Sequence, residues 1–408
     1  MKCRFCETPV TTTVVDLGMQ PLSNAYIQSD AREAMEPFYP LHARVCERCF
    51  LVQLPEIQSP ERIFSDYAYL SSMSDSWLDH CRRYADAMTT RFGLGASSLV
   101  IEVASNDGYL LRFFKEKNIR VLGIEPAANV AAIAVAAGIP SLPRFFGADL
   151  ANELLSQGTR ADLLVGNNVL AHVPALNDFV RGLKTLLSAN GVLTMEFPHL
   201  GRLVSQTQFD TIYHEHFSYF SFATAEKIFS AHGLVLFDVD ELPTHGGSLR
   251  IYASHAGANA RETTERVAAL REAEAAQGLG SLETYTRFGE QVREVKRKIL
   301  EFLIARKREG KSIVAYGAPA KGNTLLNYCG IRTDFVDYAA DRSPLKQGRL
   351  LPGTHIPVVA PERIRETRPD YVVILPWNIQ AEVAAQLAYI KEWGGRLVVP
   401  IPELTVLP

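Results

Sequence analysis

Short apolar runs alternate with helical stretches through the middle of the chain. Ser-Leu-Val-Ile-Glu at 98–102 is apolar enough for a strand buried on both faces, and residues 109–117 follow with a helical pattern. Val-Leu-Gly-Ile-Glu at 121–125 is a second strand ending in an acid, and 127–137 is an alanine-rich helix. Runs at 161–165 and 191–196 add further strands, and this alternation predicts a parallel, doubly wound sheet. Long charged helical stretches occupy about 260–309. A second strand–helix series then begins with Ser-Ile-Val-Ala-Tyr at 312–316 and continues through 334–337 and 371–375. The predicted fold class is α/β: a small N-terminal module over residues 1–70, a central doubly wound Rossmann-like domain over 71–255, and at 256–408 a helical linker with a second Rossmann-like α/β domain.

A chain of 408 residues exceeds one ordinary core, in line with three regions. A net charge of −3 implies no strongly basic face, which argues against nucleic acid as a partner. No apolar leader and no run of about 18 apolar residues is present, so the expectation is a cytoplasmic protein with no membrane partner. Six cysteines are too few, and wrongly clustered, for a secreted disulfide scaffold. Cys3-x-x-Cys6 and Cys46-x-x-Cys49 offer the four thiolates that tetrahedral zinc takes, with a redox dithiol as the alternative. Four protein ligands leave no open position, so such a zinc is structural. Cys81 and Cys329 have no nearby partner and read as small packed residues.

Glu102-x-Ala104-x-Asn106-x-Gly108 ends the first strand and opens a helix, where small residues let a ligand approach the backbone. Glu125, at the end of the next strand, is placed to bind ribose hydroxyls. The turn lacks the glycines a pyrophosphate wants, and Asp107 would repel phosphate. S-adenosylmethionine, with its sulfonium and amino group, suits such a turn better than a dinucleotide. Phe145 and Phe146 could sandwich an adenine or belong to the core. His172, within Asn-Asn-Val-Leu-Ala-His-Val-Pro at 167–174, follows a parallel strand at the same sheet edge. Tyr-His-Glu-His-Phe-Ser-Tyr-Phe-Ser at 213–221 concentrates two imidazoles, a carboxylate and two phenols, a composition suited to proton transfer. Glu215 and His216 would face opposite sides of a regular strand, so the segment must turn for both to serve one site. Lys321, in Gly-Ala-Pro-Ala-Lys-Gly at 317–322, is placed after a strand where phosphate could bind, and Ser248 and Arg250 beside Gly246-Gly247 could meet diphosphate or sugar.

These motifs, with those at 67–72, 244–250 and 315–323, resemble in order the S-adenosylmethionine-dependent sugar-nucleotide C-methyltransferases of deoxysugar biosynthesis, which carry a zinc module. The resemblance covers nearly the whole chain. It implies C-methylation, at C-3 or sometimes C-5, of a 4-keto-6-deoxyhexose carried by dTDP, with GDP or CDP as other nucleotides. It implies His216 as general base, Glu215 as the group that orients His216 or binds a sugar hydroxyl or amino group, and His172, Tyr213 and Tyr69 at the keto oxygen and sugar. Tyr69 also falls among the donor contacts it implies, with Glu102, Ala104, Asn106, Gly108, Glu125, Pro126 and Asn168. For the sugar nucleotide the residues are His245, Ser248, Arg250, Tyr316, Lys321 and Asn323, and for zinc Cys3, Cys6, Cys46 and Cys49. A monomer or weak homodimer is expected, and His214 has no assigned role. Three rivals stand beside this: a catalytic metal held by His172, His214 and His216, sugar O- or N-methylation, and a scaffold without catalysis.

Overall fold

The structure is a computed structural model that describes residues 1–59, 70–73, 75–258 and 260–407. Tyr69 lies outside the described residues.

Strands are numbered along the chain. The N-terminal sheet sets β1 (Thr12–Gln20), β3 (Tyr39–Val45), β4 (Val52–Gln53) and β10 (Ser218–Tyr219) side by side. Its last strand therefore comes from the 213–221 segment, with Ser218 opposite Gln53 and Tyr219 opposite Val52. The short β2 (Ile27–Gln28) leaves this sheet and pairs with β15 (Arg349–Leu350) of the C-terminal region. The described N-terminal residues thus form their sheet with a strand from the central region and reach into the C-terminal one.

In the central sheet, seven strands among the described residues are β5 (Leu99–Val103), β6 (Arg120–Ile124), β7 (Ser141–Leu142), β8 (Ala161–Asn167), β9 (Leu187–Pro198), β11 (Leu234–Leu242) and β12 (Ser248–His255). They stand in the order β11-β12-β9-β8-β5-β6-β7, parallel from β9 to β7, with β12 and β11 antiparallel. Apolar residues fill β5 because helices cover both faces of a parallel sheet. The helix Leu176–Leu186 shows how it is covered: Leu176, Phe179, Val180, Leu183 and Leu186 recur at helical spacing and are all buried. The chain runs outward from β5 to β7 and returns to β8, so the sheet switches direction between β5 and β8. Ligands of doubly wound sheets bind at that opening, outside the strands' carboxyl ends.

The C-terminal sheet repeats the plan. Its strands β13 (Ile313–Tyr316), β14 (Ala339–Ala340), β16 (Val358–Val359), β17 (Tyr371–Ile374), β18 (Arg396–Val399) and β19 (Thr405–Leu407) lie in the order β16-β14-β13-β17-β18-β19, antiparallel only at β19. Its direction switches between β13 and β17. The helix Leu282–Arg308 buries Tyr285, Phe288, Val292, Ile299 and Leu303 along one face. These residues share one apolar cluster with Val14, Leu17 and Leu41 of the N-terminal sheet and with Ile313 and Val372 of the C-terminal one. Burial of each such side chain stabilises by about 1.5–3 kcal/mol, enough to fix the two outer sheets to each other. The fold class is α/β with two Rossmann-like sheets and an N-terminal cysteine-bearing sheet, as the sequence pattern predicts.

Candidate active site

A cavity of about 1660 Å³ runs from the carboxyl edge of the central sheet, past the 213–216 turn, to the carboxyl edge of the C-terminal sheet. Among its lining residues are Ala104, Asn106, Asn168 and His245, and all four are non-glycine residues in the left-handed region, with φ between 47° and 58°. Such conformations cost of order 1–3 kcal/mol each and persist where the surroundings hold them, commonly at ligand sites.

At the central-sheet end, Glu125 is buried and its two oxygens accept from the backbone amides of Asn106 and Ala127, each at 2.9 Å. The carboxylate retains lone pairs for a further donor. Burial raises its pKa, opposed by those two amides. Asn106 Oδ1 accepts from the Ser71 amide at 2.9 Å, closing the segment at 70–73 over the turn. Trp77 stacks on His80 with ring centroids 4.9 Å apart and leans on His245 at 5.5 Å, adding an aromatic wall. Asn168 Nδ2 donates to His245 Nε2 at 3.1 Å, which places the imidazole proton on Nδ1.

The middle of the cavity is built by a turn. The His216 amide bonds the Tyr213 carbonyl at 2.9 Å, and the Phe217 amide bonds the Ala171 carbonyl at 2.7 Å. The turn brings Glu215 and His216 together in the cavity wall, where a regular strand would have set them on opposite faces. His216 Nδ1 donates to the Thr211 carbonyl at 3.0 Å, and His172 Nδ1 donates to the Glu215 carbonyl at 2.9 Å. Each ring therefore carries its proton on Nδ1 and has an unprotonated Nε2. The two rings lie 4.8 Å apart edge to face, and Tyr213 lies 4.0 Å from His216. Burial, and next the neighbouring His172, hold His216 well below the usual imidazole pKa, and burial takes His172 to about 4. Burial pushes Glu215 up to about 7, against a 2.7 Å hydrogen bond from Asn24 Nδ2. His214 points the other way, edge-on to Tyr39 at 6.0 Å, so a metal held jointly by His172, His214 and His216 does not fit this arrangement.

At the far end Lys321 Nζ bonds Asn378 Oδ1 at 2.8 Å and sits over the Trp377 ring at 4.6 Å. Trp377 Nε1 in turn donates to buried Asp210 at 2.6 Å. Burial lowers the Lys321 pKa, and Asp210 partly offsets it. Asp341, ending β14, accepts from the Ala318 amide at 2.7 Å and the Ser343 amide at 2.8 Å. Glu125 does the same in the central sheet: each acid at the second strand's end ties the first strand–helix turn to its own. Gly317 is required here, since a Cβ on it would meet Pro376 at 2.6 Å and its φ is 80°.

The lining includes His172, Tyr213, Glu215, His216, Ala104, Asn106, Glu125, Pro126, Asn168, His245 and Lys321. Six other residues expected at ligand lie behind the wall, each for a stated reason. Glu102 is fully buried beneath β5, and burial raises its pKa well above the usual carboxyl value. Gly108 serves the turn itself, at φ 78° and with Ile139 2.9 Å from the position a Cβ would take. Arg250 faces Glu196 across the β12–β9 pairing, and its guanidinium binds that buried carboxylate at 2.6 Å. Ser248 donates to the Thr244 carbonyl at 3.0 Å, Tyr316 to Gln386 at 2.8 Å, and Asn323 to the Ser23 carbonyl at 2.6 Å. Residues that the sequence left unmarked also line the cavity: Asn24 and Tyr26 from the N-terminal region, Trp77 and His80 from the helix Asp75–Phe92, and Asp341 and Arg342 after β14. A polar residue after a second parallel strand, as at 341, was the one signal that could have marked a member of this set.

The Sγ atoms of Cys3, Cys6, Cys46 and Cys49 lie within 4.8 Å of one another, with two pairs at 3.5 Å. A tetrahedral zinc with Zn–S of about 2.3 Å needs sulfurs about 3.8 Å apart, so the donor set fits a closed structural site. Arg4, between two of the cysteines, donates to the Phe217 carbonyl at 2.9 Å, one residue after His216.

Three family models match the chain in succession: "Putative zinc binding domain" over residues 3–64, "Methyltransferase domain" over 76–239 and "C-methyltransferase C-terminal domain" over 243–402. The C-methyltransferase NovU of Streptomyces niveus is 35% identical over 406 residues, covering 100% of this chain and 96% of that protein. Among solved structures, magnesium protoporphyrin IX methyltransferase from Synechocystis PCC 6803 with bound SAM is 15% identical, covers 48% of this chain and 89% of its own, and has a TM-score of 0.34. The 1,6-didemethyltoxoflavin-N1-methyltransferase of Burkholderia thailandensis is 17% identical, with coverages of 51% and 95% and a TM-score of 0.36. Fold and sequence together define a methyltransferase joined to a cysteine-rich zinc-binding module. The chain belongs to the C-methyltransferase family and is an S-adenosylmethionine-dependent enzyme that methylates carbon in a small-molecule substrate. No helix among the described residues is long and apolar enough to cross a membrane.

Proposed function

We propose that the substrate is a nucleotide-linked 4-keto-6-deoxyhexose, carried by dTDP, and that the methyl group goes to C-3. The observation that carries this reading is the histidine pair. His216 and His172 each have Nδ1 committed to a backbone carbonyl and an unprotonated Nε2, in a cavity that joins two sheet edges. A carbon acid beside a ketone needs such a base, and a positioned imidazole contributes typically 10²–10⁴-fold, about 3–5 kcal/mol.

His216 Nε2 takes the proton from the carbon next to the keto group, and the C–H electron pair becomes an enolate. Bound S-adenosylmethionine supplies an electrophilic methyl group. That methyl group would pass to the enolate carbon, leaving a neutral thioether, and His216 would keep the abstracted proton. The Tyr213 hydroxyl is the donor for the enolate oxygen. His172 was expected to share that task, but its proton is on Nδ1 and its depressed pKa keeps it neutral at pH 7, so Nε2 can only accept. A sugar hydroxyl is the donor that suits it. At the donor end Glu125 has the free lone pairs for ribose hydroxyls. Lys321 supplies a cation for diphosphate next to the Gly-Ala-Pro turn. Asn106, Ala104, Pro126 and Asn168 shape the donor end, and His245 stands between it and the sugar.

The test is a product screen with methyl-labelled donor and a panel of 4-keto nucleotide sugars bearing dTDP, GDP or CDP, analysed by mass spectrometry and NMR. Label on C-3 of the dTDP-sugar supports the reading. Label on oxygen or nitrogen, on C-5, or on none of the panel refutes it.

A further inference from the structure

We infer that Asn24 is a positioning residue for the reaction, holding the Glu215 carboxyl, and with it the turn that carries His216, from an arm of the N-terminal region. The inference rests on the reading that the turn at 213–216 carries the catalytic base. Glu215 is buried and its Oε1 accepts from Asn24 Nδ2 at 2.7 Å. Asn24 itself is exposed and lines the cavity, so its amide is not there to fill a core. The Glu215 backbone carbonyl is meanwhile the anchor for His172 Nδ1 at 2.9 Å. A carboxyl allowed to swing would therefore loosen the backbone that anchors His172 and leads directly into His216.

The arm is fastened at several points, and they lie at the C-terminal sheet. Asn323 Nδ2 donates to the Ser23 carbonyl at 2.6 Å, and the Tyr26 hydroxyl donates to the Ala318 carbonyl. β2 then pairs with β15. Lys346 donates to the same Ala318 carbonyl at 3.0 Å and lies over the Tyr26 ring. Asn24 is thus held against the turn at Ala318–Lys321, which borders the far end of the cavity, while it grips the carboxyl at the middle. Geometry across two sheets reaches Glu215 through one amide.

The titratable groups facing Glu215 are the Tyr26 phenol on the arm and the His172 ring on the 170–172 turn, with Lys346 beyond Tyr26. Asn24 is the neutral donor among them, and its hydrogen bond favours the ionised carboxyl. Removing the donor should raise the Glu215 pKa further.

The experiment compares the full zinc-loaded chain with Asn24→Ala and with Asn24→Asp, which keeps the shape and replaces the N–H donor by an anionic oxygen. With dTDP-4-keto-6-deoxyglucose as the probe, kcat should fall about 10- to 100-fold while KM moves by less than about threefold. The pH–rate inflection belonging to Glu215 should move upward in both variants, a shift that a merely structural role would not produce. Amide exchange of residues 211–219, measured by mass spectrometry without any substrate, should quicken in both. A kcat within about twofold of wild type with an unmoved inflection overturns the inference. If the wild-type enzyme methylates no nucleotide sugar, the substrate reading fails, and unchanged exchange in both variants overturns the role of Asn24 separately.

Discussion

Glu215→Gln should stabilise the protein at alkaline pH and do so less at acid pH. The substitution keeps the shape and keeps an oxygen to accept from Asn24, so it removes little beyond a buried charge. Burial raises the carboxyl from 4.5 to about 7. A folded-state pKa above the unfolded value means that the native state binds more protons between those pH values, so stability falls as pH rises through that window. At 1.36 kcal/mol per pH unit the full loss is on the order of 3 kcal/mol, of which about 2 falls between pH 5.5 and 8.5. Glutamine does not titrate and is spared that loss. The depressed His172 pKa has the opposite sign, contributing stability present above pH 6.5 and lost toward about 4. It is common to both proteins and drops out of their difference. With about 2–4 °C of midpoint per kcal/mol for units of this size, the variant's advantage should grow by about 4–8 °C from pH 5.5 to 8.5. Differential scanning calorimetry of both proteins at the two pH values measures it. An advantage that does not change with pH, or a variant less stable at pH 8.5, would refute the reasoning that Glu215 is held as a costly buried carboxyl for use at the site.

Arg250→Ala should cost about 3–5 kcal/mol of stability by leaving Glu196 buried without its cation, while KM for the nucleotide sugar stays near wild type; a KM rise in a stable variant would return Arg250 to the ligand. Lys321→Ala should weaken dTDP binding about tenfold by calorimetry and leave donor affinity unchanged, and unaltered dTDP binding would remove the phosphate contact. Cys46→Ser should release zinc, read by metal analysis, and also quicken amide exchange at 217–219, because β4 and Arg4 hold that segment.

Much of this architecture is legible in the chain, because both sheets are built mainly from parallel strands that read as apolar runs. The turn at 213–216 is legible too, since Glu215 and His216 cannot share a face without one. What the sequence hides is set by pairing between distant segments. Arg250 after two glycines looks like a ligand contact, and only the register that sets it opposite Glu196 reveals an internal ion pair. Glu102 reads as the leading acid of a ligand turn, yet it is still inside β5, paired on both sides and fully buried. The tautomer of His172 depends on a carbonyl 43 residues away. Asn24 and Tyr26 lie in a stretch with no motif, and their place at the cavity follows from the pairing of β2 with β15, more than 300 residues apart.

The claim at the centre is that His216 Nε2 removes a proton from carbon. Solvent deuterium incorporation at the carbon beside the ketone, followed by NMR in deuterated water with wild type and His216→Ala, tests it most directly. The substitution should abolish both exchange and methylation while S-adenosylmethionine binds within about twofold of wild type. Exchange that persists in His216→Ala would contradict it and assign the base elsewhere.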